Sequence, residues 1–107
     1  MTDSINIRNS TQEDWPALAR LYPDAFPDED LLPLVSDLHQ ETREILSLVG
    51  SLRNAVTSHV IFTFCGIPGT ALKAALLGPL AVAPAYQRQG FGTAIVRKGL
   101  RILRARP

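Results

Sequence analysis

Hydrophobic positions recur along this chain with two different periods, and the changes of period divide it into seven elements. Ile5 and Ile7 alternate with polar neighbours between Ser4 and Arg8, which predicts a short strand. From Trp15 the spacing becomes helical. Trp15, Leu18, Leu21 and Tyr22 fall on one face, behind the capping-box pattern Ser10-Thr11-Gln12-Glu13. Pro16 is tolerable in the first turn, and Pro23 and Pro27 are expected to close the helix. Leu31, Leu34, Val35 and Leu38 repeat the helical spacing, with Pro33 early enough to survive. Asp28, Glu29 and Asp30 stand at the expected start, where negative charge suits the helix dipole. Ile45 to Leu52 and Ala55 to Phe64 are apolar and β-branched, and predict two strands joined by a tight Arg53-Asn54 link. Gly66-Ile67-Pro68-Gly69-Thr70 reads as a loop. Ala74 to Val82 is near-continuously apolar and predicts a strand buried on both faces. Gly78-Pro79 inside it predicts a bulge or bend, because proline cannot donate to a ladder. The last element, Phe91 to Leu103, is an amphipathic helix. Phe91, Ala94, Ile95, Gly99, Ile102 and Leu103 share a side, with Arg97, Lys98, Arg101 and Arg104 mostly opposite.

The order β-α-α-β-β-β-α predicts an α/β fold around a mixed, mostly antiparallel sheet, not a doubly wound one. At 107 residues the chain forms one domain, residues 1–107. A domain of this size buries roughly 60–70% of its unfolded surface, enough for a modest core. The single cysteine, Cys65, excludes an internal disulfide framework and a cysteine-cluster zinc site, so no metal is expected. The first 15 residues lack a signal-peptide pattern, and the apolar run 74–85 is too short for a membrane span. A reducing, cytoplasmic setting is expected.

Charge is segregated. The first 44 residues hold all ten acidic and three basic residues, a net −7; the eight basic residues that follow give +8. Either the two segments pair across the fold, or the C-terminal side receives an anionic ligand and the N-terminal side a cationic one.

The richest chemistry lies where the apolar strand meets the last helix. Gln87-Arg88-Gln89-Gly90-Phe91-Gly92-Thr93 follows Leu80-Ala81-Val82-Ala83-Pro84. Two spaced glycines permit close backbone approach, and the N–H groups of a helix start, with Arg88 beside them, suit a diphosphate. A dinucleotide fingerprint fails because Ile95 stands where a third glycine is needed. A nucleoside-triphosphate loop fails because Thr93 follows Gly92 without an intervening lysine.

Gln87 to Gly92 fits the signature Arg/Gln-x-x-Gly-x-Gly/Ala, and with the strand before it and the helix after it the segment resembles the cofactor motif of the GNAT N-acetyltransferases. The resemblance runs from Ile5 to about Arg104. It implies an acyl-CoA N-acyltransferase fold without its C-terminal third, and acetyl-coenzyme A as co-substrate. The implied cofactor-binding residues are the backbone of Leu80, Ala81 and Val82, beside the bulge, and Gln87, Arg88, Gln89, Gly90, Phe91, Gly92 and Thr93 at the diphosphate. The reaction implied is direct attack of an amine on the thioester. The link Phe26-Pro27-Asp28-Glu29-Asp30 would border the acceptor cleft, although its carboxylates are also ordinary helix-start charges.

The catalytic residues stay unassigned. A base could be His59, a carboxylate of the first 44 residues, or water; His59 could equally be structural. Cys65 reads as core. The acceptor is expected to be a small-molecule or peptide amine. The alternative function is a coenzyme A-binding module without turnover. Nucleic-acid binding by the basic last helix is disfavoured, since no aromatics interleave with its charges, and no membrane partner is expected. An unprotected fourth strand predicts a homo-oligomer.

Overall fold

A computed structural model describes residues 5–40, 44–66, 68–71 and 73–105. The chain runs β1 (Asn6–Asn9), a 3-10 turn (Gln12–Asp14), α1 (Trp15–Ala25), α2 (Leu32–Gln40), β2 (Ile45–Leu52), β3 (Ala55–Gly66), β4 (Lys73–Val82), a second 3-10 turn (Pro84–Tyr86) and α3 (Phe91–Arg104). The predicted order of strands and helices is the observed one. Ser4, Ile67 and the last two residues lie outside the described residues.

The four strands form one sheet in the order β1-β2-β3-β4, and every pairing is antiparallel. Arg53 and Asn54 join β2 to β3 with φ of 52° and 68°, the left-handed pair that a two-residue hairpin of the sheet's twist requires. Alternation sorts the side chains to two faces. Val49, Ile61 and Ala81 pack with Leu18, Leu21, Tyr22 and Val35 of α1 and α2. Leu46, Leu48, Val60 and Phe62 pack with Ile95 of α3. Each fully buried valine, leucine, isoleucine or phenylalanine among them contributes about 1.5–3 kcal/mol. The two faces thus hold the helices on opposite sides of β3.

Several expectations shift. The cap forms one residue later than the Ser10–Glu13 pattern: Thr11 N–H donates to Asp14 Oδ2 at 2.7 Å, and Asp14 N–H to Thr11 O at 3.0 Å. Arg8 fixes Asp14 by two bonds of 2.7 and 2.8 Å. That pairing, with burial opposing it, lowers the Asp14 carboxyl to about 2. The Arg8–Asp14 ion pair lies within the acidic segment itself and does not join the two charge segments.

Pro23 does not close α1, which continues to Ala25. Proline costs a helix one hydrogen bond, and the burial of Leu21 and Tyr22 in the same turn offsets that loss. Asp28, Glu29 and Asp30 precede α2 in the connecting segment and are not its first turn. Trp15 and Leu34, expected on buried faces, are 39% and 46% exposed, because the core turns on Leu18 and Val35 instead.

The largest correction concerns β4. Leu76 and Leu77 are 61% and 48% exposed, so the strand is not buried on both faces. β4 is the sheet's edge among the described residues. Its second half, with Ala81 buried, is covered by helices, whereas residues 75–77 are exposed. The predicted bulge is present. Val60 pairs with Leu80 and Phe62 with Leu77, so Gly78 and Pro79 together oppose Ile61.

Candidate functional site

β4 and α3 build the first part of the site from backbone. Ala83 N–H donates to Thr57 O at 2.8 Å, and the register then pairs Val82 with Ser58, Ala81 with His59 and Leu80 with Val60. Hydrogen-bonded and non-bonded pairs alternate along an antiparallel ladder. Ala81 therefore turns its N–H and C=O to β3, while Leu80 and Val82 turn theirs to the open edge. The side chain of Gln87 donates to Val82 O at 2.9 Å and holds the loop against the strand. The bulge at Gly78-Pro79 bends β4 just before these groups.

Beyond β4, the second 3-10 turn leads into the glycine loop. Arg88 and Gly90 have φ of 63° and 88°. A Cβ at Gly90 would meet nothing within 4 Å, so this position needs glycine for its left-handed backbone and not for space. At Gly92 a Cβ would lie 3.4 Å from Val82 Cγ2, an ordinary van der Waals contact, so the start of α3 packs against the strand without the space itself requiring glycine. Gln89 donates to Ala85 O at 2.9 Å, and the Tyr86 and Phe91 rings meet edge to face at 5.5 Å. Gly90 caps α3, whose ladder opens with Ala94 N–H donating to Gly90 O at 2.9 Å. The N–H groups of Phe91, Gly92 and Thr93 precede that bond and have no acceptor within the helix. Gln87, Arg88, Gln89 and Gly90 are exposed. Strand edge, positive residue and bare helix start thus share one exposed segment, where an anion would gain a dipole contribution of about 0.3–1 kcal/mol.

The opposite face of β3 carries a second arrangement, made of side chains. His59 is fully buried and bonds Tyr22 Oη through Nδ1 at 2.6 Å and Ser47 Oγ through Nε2 at 2.8 Å. Ser47 also meets Ser10 Oγ at 2.7 Å and His39 Nε2 at 3.0 Å. His39 Nδ1 reaches Val35 O at 2.7 Å. Burial, reinforced by the neighbouring His39, pushes His59 down to about 3, so it is neutral at physiological pH. Burial pushes the Tyr22 phenol up. Tyr22 also lines a cavity of about 350 Å³ with Phe26, Asp28, Glu29 and Asp30. His39 lines a separate cavity of about 600 Å³ with Ser10, Trp15 and Ser36.

His59 is thus joined to residues that its sequence neighbours did not suggest. Tyr22, Ser47 and His39 were missed as partners, since 37, 12 and 20 positions separate them from His59. Strand alternation holds the usable signal, because it puts Ser47 and His59 on the face that α1 covers. Cys65 lies near the end of β3, with Sγ 3.9 Å from Thr63 O.

The family model described as an acetyltransferase (GNAT) domain matches residues 6–107, and the chain belongs to that family. A GNAT family acetyltransferase from Brucella melitensis, solved with acetyl-CoA, superposes with a TM-score of 0.82 at 29% identity, over 96% of this chain and 70% of that one. An Escherichia coli GNAT family N-acetyltransferase, solved with CoA, gives 0.84 at 28% identity, over 96% of this chain and 58% of that one. A ribosomal-protein-alanine N-acetyltransferase from Brucella melitensis shares the fold at 19% identity and a TM-score of 0.74, over 92% of this chain and 70% of that one. The chain spans little more than half the length of the E. coli protein. No curated protein sequence matches it. Among the described residues, no helix is long and apolar enough to cross a membrane.

Proposed function

We propose that this chain transfers the acetyl group of acetyl-coenzyme A to an amine. The observation that carries the reading is the coincidence, in one continuous segment, of outward-turned β4 backbone at Leu80 and Val82 with the bare N–H groups of Phe91, Gly92 and Thr93. The helix start and Arg88 would hold the diphosphate. The edge at Leu80 and Val82 would pair with the amide-bearing arm, and Ala81 would support that edge from within the ladder. The bound group supplies a thioester as acyl donor. A backbone N–H at the edge would stabilise negative charge developing on the carbonyl oxygen.

The acceptor is a small-molecule or peptide amine, received at the cavity of Tyr22, Phe26, Asp28, Glu29 and Asp30. Three carboxylates there favour a cationic acceptor. Reversing charge at Glu29 and Asp30 is expected to weaken amine use several-fold and to leave acetyl-CoA affinity unchanged. Unchanged amine kinetics would remove the acceptor assignment. Thiol release with a panel of amines tests transfer itself; acetyl-CoA binding without thiol release from any amine would leave a coenzyme A-binding module in place of an enzyme.

The exposed edge at Leu76 and Leu77 favours self-association. Sedimentation is expected to show a dimer or larger species at micromolar concentration, and a clean monomer would contradict it. With Cys65 the sole cysteine, a reducing cytoplasmic setting accompanies the reading.

A further inference from the structure

We propose that Tyr22, His59, Ser47 and His39 form a directed proton relay from the cavity beside Tyr22 to the exposed imidazole of His39. The direction follows from counting donors and acceptors. Val35 O accepts only, so His39 Nδ1, 2.7 Å away, carries a hydrogen. A neutral His39 then has a bare Nε2, which takes the Ser47 hydroxyl hydrogen across 3.0 Å. With its own hydrogen committed, Ser47 Oγ accepts from Ser10 Oγ at 2.7 Å and from His59 Nε2 at 2.8 Å. His59 therefore carries its hydrogen on Nε2, and its bare Nδ1 accepts from Tyr22 Oη at 2.6 Å. Every bond points from Tyr22 toward His39, and His59, Ser47 and His39 each both give and receive.

A chain ordered in this way moves one proton without moving heavy atoms. A proton arriving at Tyr22 Oη lets the phenol pass its own to His59 Nδ1. His59 passes its Nε2 proton to Ser47, and Ser47 passes its hydrogen to His39 Nε2. The product is a neutral His59 carrying its hydrogen on Nδ1 and an exposed imidazolium at His39, which releases the proton to solvent. One proton enters and one leaves. Resting on the acetyl-transfer reading, the proton delivered is the one the acceptor amine loses as it attacks, since Tyr22 lines the acidic cavity. His59 and Ser47 are positioning residues that act through Tyr22.

The relay also couples the two imidazoles. Protonating His39 turns its Nε2–H onto Ser47 Oγ and frees the Ser47 hydrogen to go to Ser10 Oγ, 2.7 Å away, or to His59 Nε2. The relay takes the second route, in which the His59 hydrogen moves to Nδ1 and every bond between Tyr22 and His39 reverses. The titratable and charged groups facing the relay from the described elements are Tyr22 of α1, His39 of α2, His59 of β3, Asp14, which is paired to Arg8 of β1, and Asp28, Glu29 and Asp30, which share the cavity of Tyr22.

Long-range 1H–15N correlation of the imidazoles in the intact 107-residue chain, recorded across pH, tests this and needs neither cofactor nor acceptor. Its failure is therefore separate from a failure of acetyl transfer. With His39 neutral, His59 is expected as the Nε2–H form and His39 as the Nδ1–H form. As His39 gains its proton, His59 is expected to change to Nδ1–H while remaining neutral. Ser47→Thr keeps the hydroxyl and should keep the change. Ser47→Ala and, at the exposed end, His39→Gln should abolish it. A His59 that stays Nε2–H while His39 titrates, or that changes form in Ser47→Ala, would overturn the relay.

Discussion

The two faces of β3 carry two kinds of arrangement. On the β4–α3 side, the groups proposed to meet the cofactor are backbone N–H and C=O, drawn from one stretch of chain between Leu80 and Thr93. On the α1–α2 side, side chains from four separated segments gather about His59: Tyr22 and Ser47 bond it, and Ser10 and His39 bond Ser47. A backbone site depends on conformation, which glycine and proline positions control. A side-chain network depends on which residues the fold brings together. The first tolerates side-chain change but not backbone change, and the second does the reverse.

The comparison breaks most visibly at His59. His59→Ala removes a fully buried ring and leaves Tyr22 Oη and Ser47 without their partner. A loss of about 3 kcal/mol in urea unfolding is expected, with acetyl-CoA affinity of the folded protein nearly unchanged. A variant as stable as the parent would show that the network contributes nothing.

Gly99 comes next. Its absent Cβ would overlap the Phe62 ring, which places α3 directly on β3. Gly99→Ala forces the helix or the ring to shift and should cost about 1–3 kcal/mol. Because α3 also carries the glycine loop, cofactor affinity should fall in parallel. If stability falls and affinity does not, the loop is positioned by β4 alone.

Acid separates the two regions in another way. His59 is held neutral in the fold down to about pH 3, whereas the unfolded chain takes up that proton near its ordinary value of about 6.5. The unfolded state binds more protons between these limits, so stability is present in full above pH 6.5 and falls as pH drops toward 3. Asp14 adds a smaller loss as pH falls from 3.8 toward 2; its partner Arg8 is 44% exposed, and solvent screens the pair. Unfolding midpoints against pH should lose most of the slope above pH 4 in the His59→Leu variant. A slope equal to that of the parent would assign the acid sensitivity elsewhere.

The smallest effect is expected at Arg88, a non-glycine residue at φ 63°. Arg88→Gly relieves about 1 kcal/mol of backbone strain and removes a charge beside the helix start. The protein should become slightly more stable while binding acetyl-CoA more weakly. Binding that stays constant would assign Arg88 to the turn alone.

These differences match what was legible in the sequence. The strands, their order, the Arg53-Asn54 link and the Gly78-Pro79 bulge follow from period and local turn chemistry, which a linear reading contains. The family resemblance rested on the same kind of local pattern. Helix ends are less legible. Pro23 predicts the end of α1, but tertiary burial of Leu21 and Tyr22 outweighs one lost hydrogen bond. The acidic run 28–30 predicts a helix start, but α2 begins at Leu32. The apolar run 74–82 predicts a strand buried on both faces, yet composition does not say which strand lies at an edge, and Leu76 and Leu77 are exposed. The Tyr22–His59–Ser47–His39 network was not legible, because its members meet only when α1 and α2 fold over the sheet.

The central claim is that acetyl-coenzyme A binds where β4 runs into α3. Calorimetry with acetyl-CoA on the parent, Gly90→Val and Gly69→Val tests it most directly. Gly69 has φ of 78°, close to the 88° of Gly90, so the two substitutions impose similar backbone strain, and neither Cβ would meet a protein atom within 4 Å. The account predicts saturable binding by the parent and by Gly69→Val, and a loss of at least about tenfold, or about 1.4 kcal/mol, in Gly90→Val. Equal affinity in all three proteins would contradict it.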